Sequence, residues 1–267
     1  MNSDIQQENK RTEFSFTSKI EDKYVYLIAF LIGIIVLTVG SIFFIGPFIY
    51  ITKAWQGDDD LVNNLLKNIT TYQGFLGMIP EIVAIVLSLV FLRPMFKEDI
   101  LAFKSNWLRC LICIASGIAA ILLFSSLFSF LTEKLSIEGD SQNQEIIEDA
   151  LTGNGKWAMI ISVALVAPVF EELVFRKFLY GFLSRVKLHI IISTIIIALL
   201  FALIHCTSEN FLTWIAYFFL LNYLSLSLSL TIPFIVSKGN VFVSIIIHMF
   251  NNIFSLLAIF GVINAII

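Results

Sequence analysis

Residues 107–131, WLRCLICIASGIAAILLFSSLFSFL, decide the fold. The stretch holds one charge, Arg109, near its start. As a helix it rises about 1.5 Å per residue, enough to cross the ~30 Å hydrocarbon layer of a bilayer. Working outward, six further runs read the same way: about 24–51, 74–92, 157 into an awkward polar stretch, 188–206, 211–236 and 241–264. Ser237, Lys238, Gly239 and Asn240 alone separate the last two, a turn signal. The expectation is an all-α polytopic membrane protein of about seven transmembrane helices.

Composition points the same way. Of 267 residues, 58% are hydrophobic and 14% charged, against about 25% charged in soluble domains. A soluble chain of this size cannot hide so much apolar surface, because surface area falls too slowly with size. The net charge is −3, and no basic cluster suggests nucleic acid as a partner. Cys110, Cys113 and Cys206 all fall inside apolar runs. The Cys110–Cys113 C-x-x-C has no second pair and reads as buried packing rather than redox or metal chemistry. Residues 1–23 are polar and precede a run too long for a signal-peptide core, so no cleavage is expected. They read as a cytoplasmic tail, and 24–267 as the transmembrane domain.

Lys and Arg stay on the cytoplasmic side of short loops. Of the 17 in the chain, 13 fall on one side: Lys10, Arg11, Lys19, Lys23, Arg93, Lys97, Lys104, Arg109, Arg176, Lys177, Arg185, Lys187 and Lys238. The alternate loops hold only four, Lys53, Lys67, Lys134 and Lys156. That places the N-terminus in the cytoplasm and, with seven spans, the C-terminus outside. The two outer loops, about 52–73 and 132–156, can form short interfacial helices and offer nothing catalytic.

Ionisable side chains at membrane depth are expensive, so each needs a reason. Glu81 follows Pro80 in the second span, and its favoured reading is a protonated or interhelically bonded carboxyl at a kink. Glu171 and Glu172 stand in APVFEELVFRK. Adjacent helical residues point about 100° apart, so the two cannot do the same job. Glu172 and Arg176 are i,i+4, the favourable order for an ion pair, which leaves Glu171 free to face a cavity. His205 closes FALIH, one turn after Phe201. His205 and Glu171 each lie 17 residues from position 188, so a helical hairpin turning there brings them to matching depth. His248 and Asn252, in HMFNN, project from one face of the last span, and Asn251 points elsewhere.

EELVFR, FALIH and HMFNN stand in the order of the three signature motifs of the CPBP (Abi) family, which this chain resembles over about 157–260. That family groups CAAX-type prenyl endopeptidases with bacteriocin-processing and bacteriocin-immunity membrane proteins. The resemblance implies a multi-helix fold with an intramembrane polar cavity open toward the cytosol. It implies that Glu171 activates water as the general base, that His205 helps to hold that water, and that His248 and Asn252 stabilise the oxyanion. Glu172, Arg176 and Phe201 would support them. Lys177 stands where the family often has glycine. Asn222 and a Ser/Leu alternation over 224–230 replace the usual glycines before the third motif, which bears on specificity.

The chemistry is physically reasonable. Burial brings a carboxylate toward its operating pH, and an imidazole N–H with an Asn amide can hold an oxyanion. A zinc site is the weaker reading, because H-E-x-x-H spacing is absent. The leading expectation is therefore a metal-independent, cofactor-free intramembrane endopeptidase in a multi-pass, bacterial cell membrane, acting on a membrane-associated peptide or protein. The alternative is a non-catalytic immunity or binding protein of the same fold, and a transporter comes third. Substrate and oligomeric state are not written in the sequence.

Overall fold

Helices that are apolar on every side belong in lipid, and the outward faces of this bundle keep that character. Ile28, Val90, Leu123, Ile192 and Leu221 are all exposed. The computed structural model describes residues 22–56, 69–152 and 155–261. Among these every regular element is helical. They are α1 (Lys23–Gln56), α2 (Ile69–Phe91), α3 (Arg93–Ser105), α4 (Trp107–Lys134), α5 (Gln142–Thr152), α6 (Lys156–Arg185), α7 (Ile190–His205), α8 (Trp214–Val236) and α9 (Val241–Ile259). Six are long and apolar enough to cross a membrane, and α7, with 16 residues, is a shorter apolar helix. The expected tail residues 1–21, the acidic Asp58, Asp59 and Asp60, and the end of the last run at Asn264 lie outside the described residues.

The polar stretch in the fourth run is one helix with two wide turns. Within α6, Ser162–Val166 and Leu173–Leu179 are π-helical and flank Ala167–Glu172. Pro168 explains the first. The Ala167 N–H reaches back five residues to the Ser162 carbonyl, and the next N–H in that register would be that of Pro168, which has none. The Val163 carbonyl is thereby left without a backbone donor, and such turns gather at functional sites.

Small residues let the helices approach. A Cβ at Gly117 of α4 would come within 2.5 Å of Ile247, and one at Gly33 of α1 within 2.5 Å of Val174. The core they close contains Met95, Phe170, Leu173, Val174, Phe175, Phe178 and Phe201. The α8–α9 turn places Lys238 and Gly239 at positive φ, 65° and 75°, as the Ser-Lys-Gly-Asn signal requires.

Two elements differ from the sequence reading. The segment between the second and third spans is the helix α3, clasped to the bundle. Asp99 bonds Lys177 Nζ at 2.5 Å, and the Asp99 carbonyl accepts from Asn240 Nδ2 at 2.7 Å. Lys177 is therefore not a loop charge. With Arg176 it is buried inside α6, which reduces the asymmetry to 11 against four while keeping its sign. The outer loop at 132–156 contains α5, which packs on α2 and α6 and takes part in the site.

Candidate active site

Glu171 stands mid-way along α6, 15 residues from Lys156 and 14 from Arg185. His205 ends α7. Their equal count from the hairpin turn is met in space: His205 Nε2 lies 3.5 Å from Glu171 Oε2. His248 Nε2, from α9, approaches the same oxygen at 3.9 Å. Among the described residues Glu171 Oε2 accepts no hydrogen bond. The carboxylate is 14% exposed and faces a cavity of about 200 Å³ lined also by Val163, Ala167, Tyr223, Asn251, Asn252 and the α5 residues Asn143, Gln144 and Ile147.

Glu172 points the other way and is fully buried. Its Oε1 accepts from Arg176 Nη1 and from His248 Nδ1, both at 2.9 Å. The Arg176 fork continues through Nη2 to the Ser227 hydroxyl at 2.9 Å and the Ser227 carbonyl at 3.2 Å. Ser227 belongs to the Ser/Leu alternation, so that departure from family glycines anchors the arginine. The guanidinium lies 4.6 Å from the Phe201 ring centre, and Phe201 stacks on His205 at 4.4 Å. Phe201 is thus the aromatic plate between the buried ion pair and the cavity histidine.

These partners assign the tautomers. His205 Nδ1 lies 2.9 Å from the Phe201 carbonyl, which can only accept, so Nδ1 carries the proton. His248 Nδ1 likewise donates to Glu172 Oε1. In neutral rings both Nε2 atoms then present lone pairs toward Glu171. Two imidazole acceptors and a carboxylate converging on one point leave room for a group that donates hydrogens to them, which is what a water molecule does.

Asn252 is also at the cavity. Its Nδ2 donates to the Val163 carbonyl at 2.8 Å, the carbonyl that Pro168 leaves without a backbone donor. One amide hydrogen is thereby used in holding α6, and the second remains. Asn251 does not point elsewhere: it lines the cavity and donates to Asn252 Oδ1 at 3.1 Å. The i,i+4 rule selected Asn252 and overlooked its neighbour.

Sequence reasoning also missed Tyr223. Its ring lies 5.0 Å from that of His205, on α8, and its hydroxyl meets Ser141 Oγ at 2.9 Å and Asn143 Nδ2 at 3.2 Å. A tyrosine in an apolar run carries no signal by itself. Glu81 has one buried, unpartnered carboxyl oxygen and lies within electrostatic reach of Glu171. Among the described residues no group of three or more His, Cys, Asp or Glu is arranged to hold a metal ion. A cavity of about 680 Å³ bordered by α1, α2 and α6 is lined by apolar residues and Ser88.

Residues 153–254, which contain all of these α6–α9 side chains, match the family described as type II CAAX prenyl endopeptidase Rce1-like. The chain is 27% identical over 152 residues to the Bacillus subtilis (strain 168) protein named "Putative membrane peptidase YdiL". That alignment covers 56% of this chain and 61% of the relative, so the chain spans less than two thirds of the relative's length. No solved structure matches the chain. EELVFR, FALIH and HMFNN stand in order inside the matched segment, and over it the chain is similar to CAAX-type membrane proteases.

Proposed function

We propose that this protein is an intramembrane endopeptidase in which Glu171 activates water. The observation that carries the reading is the unpartnered Glu171 oxygen, set at the cavity wall 3.5 and 3.9 Å from two imidazole nitrogens. Glu171 takes a proton from water as the oxygen attacks the scissile carbonyl, and returns it to the leaving amine as the C–N bond breaks. His205 orients the water through Nε2. His248, held by Glu172 through Nδ1, serves the oxyanion when Nε2 carries a proton. The free Asn252 amide hydrogen supplies a second donor. No metal or cofactor enters these steps.

The loop charges orient the chain with residues 1–23 in the cytoplasm and 24–267 as the membrane domain, its catalytic core at about 157–260. The substrate is a peptide or protein at the bilayer. Quantitative peptidomics of membranes expressing the wild type against Glu171→Ala tests the reading. Peptides lost in the variant are expected, and identical peptide profiles would overturn it.

A further inference from the structure

Two asparagines stand side by side at the cavity wall, and the reaction as described uses only the second. Asn251 and Asn252 follow His248 by three and four residues on α9, so one face of the helix carries all three. Both asparagines line the Glu171 cavity. An asparagine amide has two ends of nearly equal shape, an oxygen that accepts and a nitrogen that donates. Turned one way, Asn252 offers an N–H to a developing oxyanion. Turned the other way, it offers an oxygen and repels the same charge. The direction of this amide therefore decides whether Asn252 helps or hinders.

Two contacts set that direction. The Val163 carbonyl can only accept, and it lies 2.8 Å from Asn252 Nδ2, 89 residues away in the chain. It is open to a side chain because the Ala167 N–H goes to Ser162 and Pro168 has none to give. The nitrogen of Asn252 is thereby held on the α6 side. Its oxygen faces Asn251, whose Nδ2 donates to Asn252 Oδ1 at 3.1 Å. A single hydrogen bond leaves an amide free to pivot about it. Bonds at both ends set its plane, and with it the direction of the N–H that remains.

We propose that Asn251 is a positioning residue for the oxyanion site: with the Val163 carbonyl that Pro168 leaves free, it locks the Asn252 amide so that one N–H is directed into the Glu171 cavity. The proposal rests on the peptidase reading for what that N–H does, but the lock itself is measurable without turnover. Asn251→Leu keeps the size of the side chain and removes the donor. In the full-length protein carrying ¹⁵N-labelled asparagine, the Asn252 side-chain amide signal is assigned by its absence in Asn252→Ala. It should lie away from the position of free asparagine in the wild type and move toward that position in Asn251→Leu. A signal indifferent to the substitution overturns the lock. On a peptide found by the peptidomics above, Asn251→Leu should lower kcat about 10- to 100-fold, less than the 10²–10³-fold for losing an oxyanion donor outright. KM and the melting temperature should stay close to those of the wild type. In the Asn252→Ala background the same substitution should change kcat less than about twofold, because the amide it positions is gone. A rise in KM with kcat unchanged, or an equal loss of kcat in both backgrounds, overturns the assignment. A wild type that cleaves nothing would instead count against the peptidase reading, and the amide signal would still decide the lock.

Discussion

The two halves of α6 use charge in opposite ways. From Glu172 onward, carboxylate, guanidinium and ammonium are buried with partners in hydrogen-bond contact, and the apolar neighbours Leu173, Val174 and Phe175 are buried too. Up to Glu171 the helix borders open space, and the carboxylate there keeps an oxygen without a hydrogen bond. A one-residue step along a helix separates a structural charge from an available one. The lesson is that membrane depth does not identify a functional carboxylate, since both glutamates have it. The partner set does: Glu172 Oε1 accepts from both Arg176 and His248, while Glu171 faces the cavity beside two imidazole nitrogens at 3.5 and 3.9 Å.

The sharpest way to break the comparison is to empty the packed half. Arg176→Ala leaves Glu172 buried beside one partner, and removing one member of a buried pair costs about 3–5 kcal/mol. The variant should accumulate poorly or melt far lower in a detergent thermal-shift assay. A melting curve like that of the wild type would mean that the ion pair is dispensable. Lys177→Met tests the same idea at α3. Alone it should destabilise to a similar extent by stranding Asp99. Combined with Asp99→Leu it should recover most of the loss, because a buried pair can often be replaced by apolar side chains of similar volume.

Asn252 belongs to both halves of the comparison, as a tie to Val163 and as an oxyanion donor. Asn252→Ala should lower kcat about 10²–10³-fold, the loss for one oxyanion donor, and should also cost about 1–3 kcal/mol of stability by orphaning the Val163 carbonyl. A stability loss with kcat unchanged would reduce the residue to a tie. Tyr223→Phe should have the smallest effect. It keeps the ring against His205 and removes the hydroxyl that meets Ser141 and Asn143, about 1 kcal/mol for such bonds. Hydrogen exchange in α5 should rise while the rest of the bundle is unchanged.

The spans and the separation of Glu171 from Glu172 could be read from the sequence because they follow from local rules: run length, 100° per residue, and i,i+4 pairing. The equal count of Glu171 and His205 from position 188 worked because a short turn leaves two helices antiparallel with little freedom in register. What was not legible depends on contacts between distant segments. Nothing local pairs Lys177 with Asp99, 78 residues away, or Ser227 with Arg176, 51 residues away. The π-helical turns are not legible either, although Pro168 stands just after one of them ends. Helix α5 was foreseen only as interfacial. Its place on the cavity comes from Tyr223, whose hydroxyl disappears in an apolar run.

The central claim is that Glu171 is the base and that its role is chemical. It is tested by measuring the melting temperature and the single-turnover cleavage rate on the same preparation of Glu171→Gln, in chelator-treated buffer and beside the wild type. The account predicts melting close to wild type, cleavage reduced about 10²–10⁴-fold, the usual contribution of a positioned base, and wild-type activity that survives chelation. A folded Glu171→Gln that cleaves at the wild-type rate, or a wild-type protein silenced by chelation, would contradict it.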